Sequence, residues 1–460
     1  LNNELYSIFL KINEITKQSS LKTNHYTIFS LLCCAIFSHT SLNMLISYHQ
    51  DFLEKALCWA NQHNYCAYLC PNDKKNYPYT PFMHVLAIGA KNVYQPEEQS
   101  FEQIAQQKNK WLFGYWSYDL KNEVESHLKS DNAALQHWKK CTFFEPEHIL
   151  FFDEKHCTIQ SETPQEVINN IQGIQSQLTI TLPPIAFEAK TSQTDYIQQV
   201  KRIQDYIIQG DVYELNYCIP FVAENVTISP LAAFWQLNQM TQMPFAAFLR
   251  CKQHYLMCAS PERFLKKEGQ QLISQPIKGT AKRSPDKQED EQIKQQLRNS
   301  PKEQAENMMI VDLVRNDLAR FAVVGSTQVA EMFGIYTFSQ VHQMISTITA
   351  ELHPQHDWHL ALKQAFPMGS MTGAPKIRAM EIIEELEDFK RELFSGAVGY
   401  ITPDGNFDFN VVIRSLFYNA TQKTLSYAVG SAVTIDSVPE QEYEECMLKA
   451  AAFRMLFVKE

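Results

Sequence analysis

Apolar residues recur at helical spacing in several stretches of the chain. Residues 52–62, 196–208 and 231–240 each gather their apolar side chains on one face, which predicts three amphipathic helices. Gly210 closes the second of these. Pro375 opens another, with Ile377, Met380, Ile383 and Leu386 on one side. Ser300-Pro301-Lys302-Glu303 has capping-box spacing with proline at the first helical position, and Ser437-Val438-Pro439-Glu440 repeats that spacing before the last helix. Residues 245–275 alternate like strands of an antiparallel sheet, residues 111–118 form an aromatic strand-like run, and residues 410–417 form an apolar one. Strands in blocks with helices between them predict an α+β fold.

The same pass divides the chain. Residues 1–43 read as a non-native or poorly ordered extension, or else as a helical leader. Residues 44–155 read as an N-terminal α+β region. Residues 156–190, polar and broken by Pro183-Pro184, read as a linker, and residues 191–460 as the main domain. At 460 residues the chain can bury one large core or two to three ordinary ones. An apolar content of 45% fits a globular protein, and no apolar run reaches membrane-helix length, the nearest being residues 28–37. A formal charge of -10 argues against a nucleic-acid surface and, without a local positive site, against an anionic ligand. The eleven cysteines lack CxxC and zinc spacing and read as reduced thiols of a cytoplasmic protein.

Several residues carry candidate chemistry, each with a plainer alternative. Glu303 and Glu306 are three apart at the start of one helix, and Glu442 and Glu445 near the start of another. Each pair shares a helix face, and two such faces together would need a hard cation such as magnesium. Acidic residues also favour helix N-termini for their own sake. Arg414, among apolar neighbours, wants an internal acid or a ligand carboxylate. His342 has the surroundings of a satisfied core histidine. Glu262 is either a buried general acid or half of a surface pair with Arg263. The Gly369–Lys376 segment, which includes Ser370, leads into a helix and reads as an anion site or a plain turn. Lys278, in Pro276-Ile277-Lys278-Gly279-Thr280, is one amine among many.

Taken in order, these segments resemble the chorismate-utilising enzymes, a family that includes the large subunits of anthranilate and aminodeoxychorismate synthases, isochorismate synthase and salicylate synthase. The matching stretch runs from about residue 191 to the C-terminus. It holds Ser-Pro-Glu-Arg-Phe at 260–264, Pro-Ile-Lys-Gly-Thr at 276–280, Ala305-Glu306-Asn307 and the run to Leu318, His342, Gly369-Ser370-Met371-Thr372-Gly373, Ser-Gly-Ala-Val-Gly-Tyr at 395–400, Ile413-Arg414, and Glu442 and Glu445 with Lys449.

The resemblance implies a large two-subdomain α+β fold of packed antiparallel sheets flanked by helices. It implies chorismate as substrate and Mg2+ on Glu303, Glu306, Glu442 and Glu445. Arg414, Lys449 and the backbone around Gly430-Ser431-Ala432 would hold the enolpyruvyl carboxylate, with Gly279 and Ser370 also at the substrate. Glu262, Lys278, Thr280 and His342 form the implied catalytic set, Glu262 protonating the departing C4 hydroxyl. Lysine at 278 is typical of the aminodeoxychorismate synthase branch, where it adds at ring C2 before ammonia displaces it at C4. That role needs a neutral amine, hence a depressed pKa. Glu214 departs from the glutamine of amide-transferring members and the lysine of isochorismate-forming ones. Phe394 and Ala432 depart from a tyrosine and a glycine. No Gly-x-Cys-x-Gly nucleophile segment occurs in the sequence, so ammonia is expected from a separate glutamine amidotransferase subunit. Anthranilate synthesis, and chorismate binding with weak activity, are the alternatives.

Overall fold

Two antiparallel sheets share strands from both halves of the chain. In the computed structural model, which describes residues 42–72 and 77–458, the first sheet runs Leu42–Ser47, His156–Ser161, His148–Phe152, Val85–Ile88, Tyr65–Cys70, Phe245–Cys251, His254–Ser260, Ser415–Asn419, Thr424–Val433, Glu214–Ala223 and Gly373–Ala374. The second runs Ile277–Lys282, Val341–Glu351, Gln271–Gln275, Arg263–Glu268, Phe407–Asn410, Ala397–Ile401, Leu112–Trp116, Cys141–Glu145 and Asn92–Tyr94. Tyr65–Cys70 pairs with Phe245–Cys251, and Leu112–Trp116 with Ala397–Ile401, so the N-terminal region is built into both sheets.

The first sheet is buried on both faces. Along Phe245–Cys251, Phe245, Ala247 and Leu249 join a core with Phe113, Phe143 and Phe409 of the second sheet. Ala246 and Phe248 point the other way, into a core with Leu57, Val200, Phe234 and Ile383 of the flanking helices. The period-two alternation of a strand thus feeds two cores from one segment.

The predicted helices form at Gln50–Ala60, Gln193–Gln209, Pro230–Thr241, Pro301–Ala319, Lys376–Leu386 and Pro439–Leu456. Gly210 takes the left-handed conformation at φ 85° that ends Gln193–Gln209. Four sequence readings need correction. Residues 156–190 carry the strand His156–Ser161 and the helix Pro164–Gln172, whose Val167, Ile168 and Ile171 are buried, because their apolar period serves the helix-side core. Ser437 does not cap the last helix; its hydroxyl instead donates to Glu442 Oε1 at 2.9 Å. Residues 410–417 are two strands in two different sheets, separated by Val411–Arg414. Ser300 does cap its helix, but Glu303 does not reach back to it as a capping box requires. Of the extension read over residues 1–43, residues 1–41 lie outside the described residues, while Leu42 and Asn43 pair with Ser161 and Gln160.

The chain passes from one sheet to the other at two adjacent places. Ser260 ends a strand of the first sheet and Arg263 starts one of the second; Asn410 ends a strand of the second and Ser415 starts one of the first. The crossings are tied together by Val411 N–H donating to the Glu262 carbonyl at 3.1 Å and Ala259 N–H donating to the Arg414 carbonyl at 3.1 Å. The fully buried Arg263 grips Asp408 with two bonds, at 2.9 and 3.0 Å. Removing Asp408 would strand that guanidinium. Asp408→Ala should therefore cost about 3–5 kcal/mol in urea unfolding, and a loss below about 1 kcal/mol would show that the pair does not hold the crossings.

Candidate active site

The crossings carry two charged side chains whose charges act on each other. Glu262 lies in one and Arg414 in the other. Glu262 is 4% exposed, which excludes the surface pair with Arg263. Burial pushes its carboxyl up to about 7, against the Ser370 hydroxyl, the Lys278 ammonium, the Ile277 backbone and the Arg414 guanidinium, all of which favour the anion. Arg414 has φ +50°, in the left-handed region, and forms no ion pair among the described residues. Burial pulls its pKa below the ordinary arginine value, with the Glu262 charge opposing.

Lys278 is aimed by a bulge. Ile277 opposes Ile345 and Thr280 opposes Gln343, so three steps on one strand face two on the other. An extra residue of this kind turns side chains out of register and is common beside active sites. Gly279 makes the bulge feasible: its φ is +91°, and a Cβ there would sit 2.9 Å from Glu303 Oε2. The Lys278 amine donates to Glu214 Oε1 at 2.5 Å. Glu214 is fully buried on the strand Glu214–Ala223. Its carbonyl would lie 2.1 Å from a Cβ at Gly373, so only glycine lets the Gly373–Ala374 strand close on it.

The amine is not the depressed one expected from sequence. Burial would lower its pKa, but the carboxylates of Glu214, Glu306 and Glu262 outweigh burial and hold it above the ordinary lysine value. Those carboxylates come from three separate elements, which is why the sign was illegible in the local sequence.

The four paired glutamates split in behaviour. Burial pushes Glu306 up to about 7, and Glu214 and Glu303 add to it while Lys278 opposes. Glu303 is also raised, by burial and then by Glu445. This is an excess of buried negative charge, and the all-oxygen donor set has the chemistry of a site for a hard cation. Side-chain directions are mixed. Glu442 is turned to Ser437, and Glu445 to Lys449 at 2.7 Å, whose ammonium outweighs burial and holds Glu445 below its ordinary value. Among the described residues no three acidic, histidine or cysteine side chains converge as metal ligands.

The remaining expected residues fall as follows. Ser370, in a short 3-10 turn, lines a cavity with Glu262, Pro276, Val314 and Met368. Gly430, Ser431 and Ala432 lie inside the strand Thr424–Val433, opposite Cys218, Tyr217 and Asn216, so they are strand and not loop. Ser431 turns its hydroxyl to Tyr196 at 2.7 Å, and Lys449 donates to the Gly430 carbonyl at 2.7 Å. Thr280 is exposed. His342 is buried with both ring nitrogens engaged, by Thr337 and by Asp290 at 2.9 Å each. Its surroundings are those of a satisfied core histidine, and the structure records no contact of it with Lys278 or Glu262.

Sequence reading missed Glu387 and Arg391. Their side chains pair at 2.6 Å in full burial, and together they bond the Asn216 and Met371 carbonyls and the Cys218 amide. They fix the strand that carries Glu214. The only local signal was a Glu–Arg pair four residues apart just past a helix end.

A family model for chorismate binding enzymes matches residues 64–455. The chain belongs to that family. Among its relatives, aminodeoxychorismate synthase component 1 of Escherichia coli is 42% identical over 259 residues, 56% of each chain. Anthranilate synthase component 1 of Thermus thermophilus is 33% identical over 74% of this chain and 76% of that one. The chain thus spans about 56% of the length of the first of these curated relatives. The menaquinone-specific isochorismate synthase of Escherichia coli has the same fold, with a TM-score of 0.74 at 17% identity over 94% of this chain and 99% of that one. No helix of the described residues is long and apolar enough to cross a membrane.

In this member of the family the raised carboxyls make stability depend on pH. From their ordinary value of 4.5 up to about 7, folded Glu262 and Glu306 keep protons that the unfolded chain releases. Each therefore contributes stability that is complete below the ordinary value and is lost as pH rises through about 7. Glu262→Gln should raise the thermal midpoint relative to the parent at about pH 8 and leave it unchanged at about pH 4. Equal shifts at both pH values would show that Glu262 is not held protonated by the fold.

Proposed function

We propose that the chain aminates chorismate at C4, forming 4-amino-4-deoxychorismate with ammonia delivered by a separate glutaminase subunit, in the cytoplasm and for p-aminobenzoate and folate synthesis. The observation that carries this reading is Lys278, turned by its bulge into a buried field of carboxylates with Glu262 beside it. The 42% identity to a protein named aminodeoxychorismate synthase component 1 supports it.

In this reading Arg414, which lacks an acid of its own, takes the enolpyruvyl carboxylate through its fork of donors, with Lys449 and the backbone of Gly430–Ala432 alongside. Glu262, protonated near neutrality, gives its proton to the C4 hydroxyl as that group leaves. The Lys278 amine adds at C2 as the two conjugated ring double bonds each shift by one bond toward C4. Ammonia then adds at C4 and returns the lysine. Two allylic displacements put nitrogen on C4, which a single direct attack at C2 cannot do. Magnesium on Glu303 and Glu306, with Glu445 and Glu442 turned from Lys449 and Ser437, would neutralise the ring carboxylate. Neither Thr280 nor His342 takes a step in this scheme.

Incubation with chorismate, magnesium and an ammonium salt should yield 4-amino-4-deoxychorismate, identified by mass spectrometry. Anthranilate as the product sinks the reading in favour of amination at C2. Lys278→Ala should abolish C4 amination while Arg414→Ala raises KM for chorismate. A chelator should remove the activity and added magnesium restore it; turnover that survives chelation removes the metal from the scheme.

A further inference from the structure

The buried ion pairs of this molecule are of two kinds. Arg263–Asp408 is doubly bonded and also reaches Gln275. Arg391–Glu387 adds the Asn216 and Met371 carbonyls. Lys376 bonds Asp317 and the Ala365 carbonyl, and Lys121 bonds Glu384, Ser130 and Asn122. In each of these the cation also holds groups that cannot take its proton, so a proton passed to the acid would weaken those other bonds as well. Lys278–Glu214 is different. Lys278 Nζ has one hydrogen-bond partner among the described residues, Glu214 Oε1, and the other oxygen, Oε2, is buried with none. Glu214 is 0% exposed. One proton moving across one bond turns this pair from two charges into two neutral groups and strands nothing else.

We propose that Glu214 is the proton acceptor of Lys278: it holds the amine as ammonium until substrate arrives and takes its proton as the amine adds to the ring. The proposal rests on the amination reading and answers its main difficulty, which is how an amine surrounded by carboxylates becomes a nucleophile. Groups facing Lys278 come from several elements: Glu214 on its strand, Glu262 at the crossing and Glu306 on Pro301–Ala319. Glu303 on that helix and Glu445 on Pro439–Leu456 feel the lysine charge as well. Of these, only Glu214 is in hydrogen-bond contact with the amine.

The step balances. The Lys278 ammonium gives a proton to Glu214 Oε1, and the freed lone pair forms the nitrogen–C2 bond. Both conjugated ring double bonds shift by one bond, and the C4–oxygen bond breaks with its pair going to oxygen, which leaves as water with the Glu262 proton. Ammonia forms the nitrogen–C4 bond, both double bonds shift back, and the nitrogen–C2 bond breaks with its pair returning to Lys278. The new ammonium gives a proton to Glu262, and Glu214 returns its proton to Lys278. Substrate filling the site excludes water, and a drier site favours the neutral pair over the charged one.

Two readouts test this on the full chain. The first needs no turnover: acetic anhydride labelling of Lys278 across pH, quantified by mass spectrometry of its peptide. In the parent the labelling midpoint should lie above that of an exposed lysine, and Glu214→Gln, nearly isosteric, should lower it by about 1 unit or more. The second is the rate of C4 amination, which should fall by about 10²-fold or more in Glu214→Gln with KM for chorismate little changed, and less in Glu214→Asp. A parent midpoint at or below that of an exposed lysine overturns the proposal without any variant. Undiminished C4 amination in Glu214→Gln overturns it while leaving the amination reading intact. Chorismate turnover by the parent without C4 amination overturns the amination reading itself.

Discussion

The ion pair between Arg263 and Asp408 is the contact on which the site's geometry depends. Arg263 follows Glu262 in sequence, and Asp408 lies on the strand whose continuation reaches Arg414. A bidentate guanidinium–carboxylate pair has a fixed plane and fixed distances, so it sets how the two strands lie against each other. Both strands then leave the second sheet together for the first. The acid and the arginine sit on the two short crossings that result. Neither crossing could drift without breaking a fully buried ion pair, and such a pair has no water to fall back on. Position at this site is set by a buried ion pair one residue along the chain from the acid.

Charge is distributed on the same plan. A net charge of -10 disfavours an anionic substrate at long range. The site concentrates this further, gathering Glu214, Glu262, Glu303, Glu306 and Glu445 around Lys278. The structure answers in part by protonation, since burial pushes Glu262 and Glu306 to about 7. What stays negative is the kind of site a divalent cation or the cationic lysine stabilises, and Arg414, whose charge acts on Glu262, forms no ion pair among the described residues.

Much of this was legible in sequence where the determinants are local. The amphipathic helices, the antiparallel block at 245–275 and the glutamate pairs three apart all rest on short-range periodicity, and they form where the periods placed them. Pairing across the chain was not legible. Residues 410–417 carry continuous apolar character because one half packs in each sheet, so hydropathy could not show the break at Arg414. The Ser437 and Glu303 side chains leave their expected capping positions, Ser437 for Glu442 in the first turn of its own helix and Glu303 for the space beside the distant Gly279. The lysine's protonation state needed the positions of three glutamates from distant segments. Glu214 stood out in sequence only as a departure from a pattern; its contact with Lys278 joins a strand of the first sheet to a strand of the second, which no local pattern shows.

Gly279 links the amine and the glutamate helix mechanically. A bulge that aims Lys278 needs a residue with positive φ next to it, and Gly279 supplies φ +91°. The space left by its missing side chain is occupied by Glu303 Oε2, which a Cβ would approach to 2.9 Å. One missing methyl thus does two things: it lets the strand bulge and it lets the first glutamate of Pro301–Ala319 come down against the lysine segment. Moving the lysine back into strand register would push Glu303 away, and lifting Glu303 would leave the bulge without its packing. The aim of Lys278 and the carboxylate field around it are therefore not independent variables in this fold. They are set by the same few atoms.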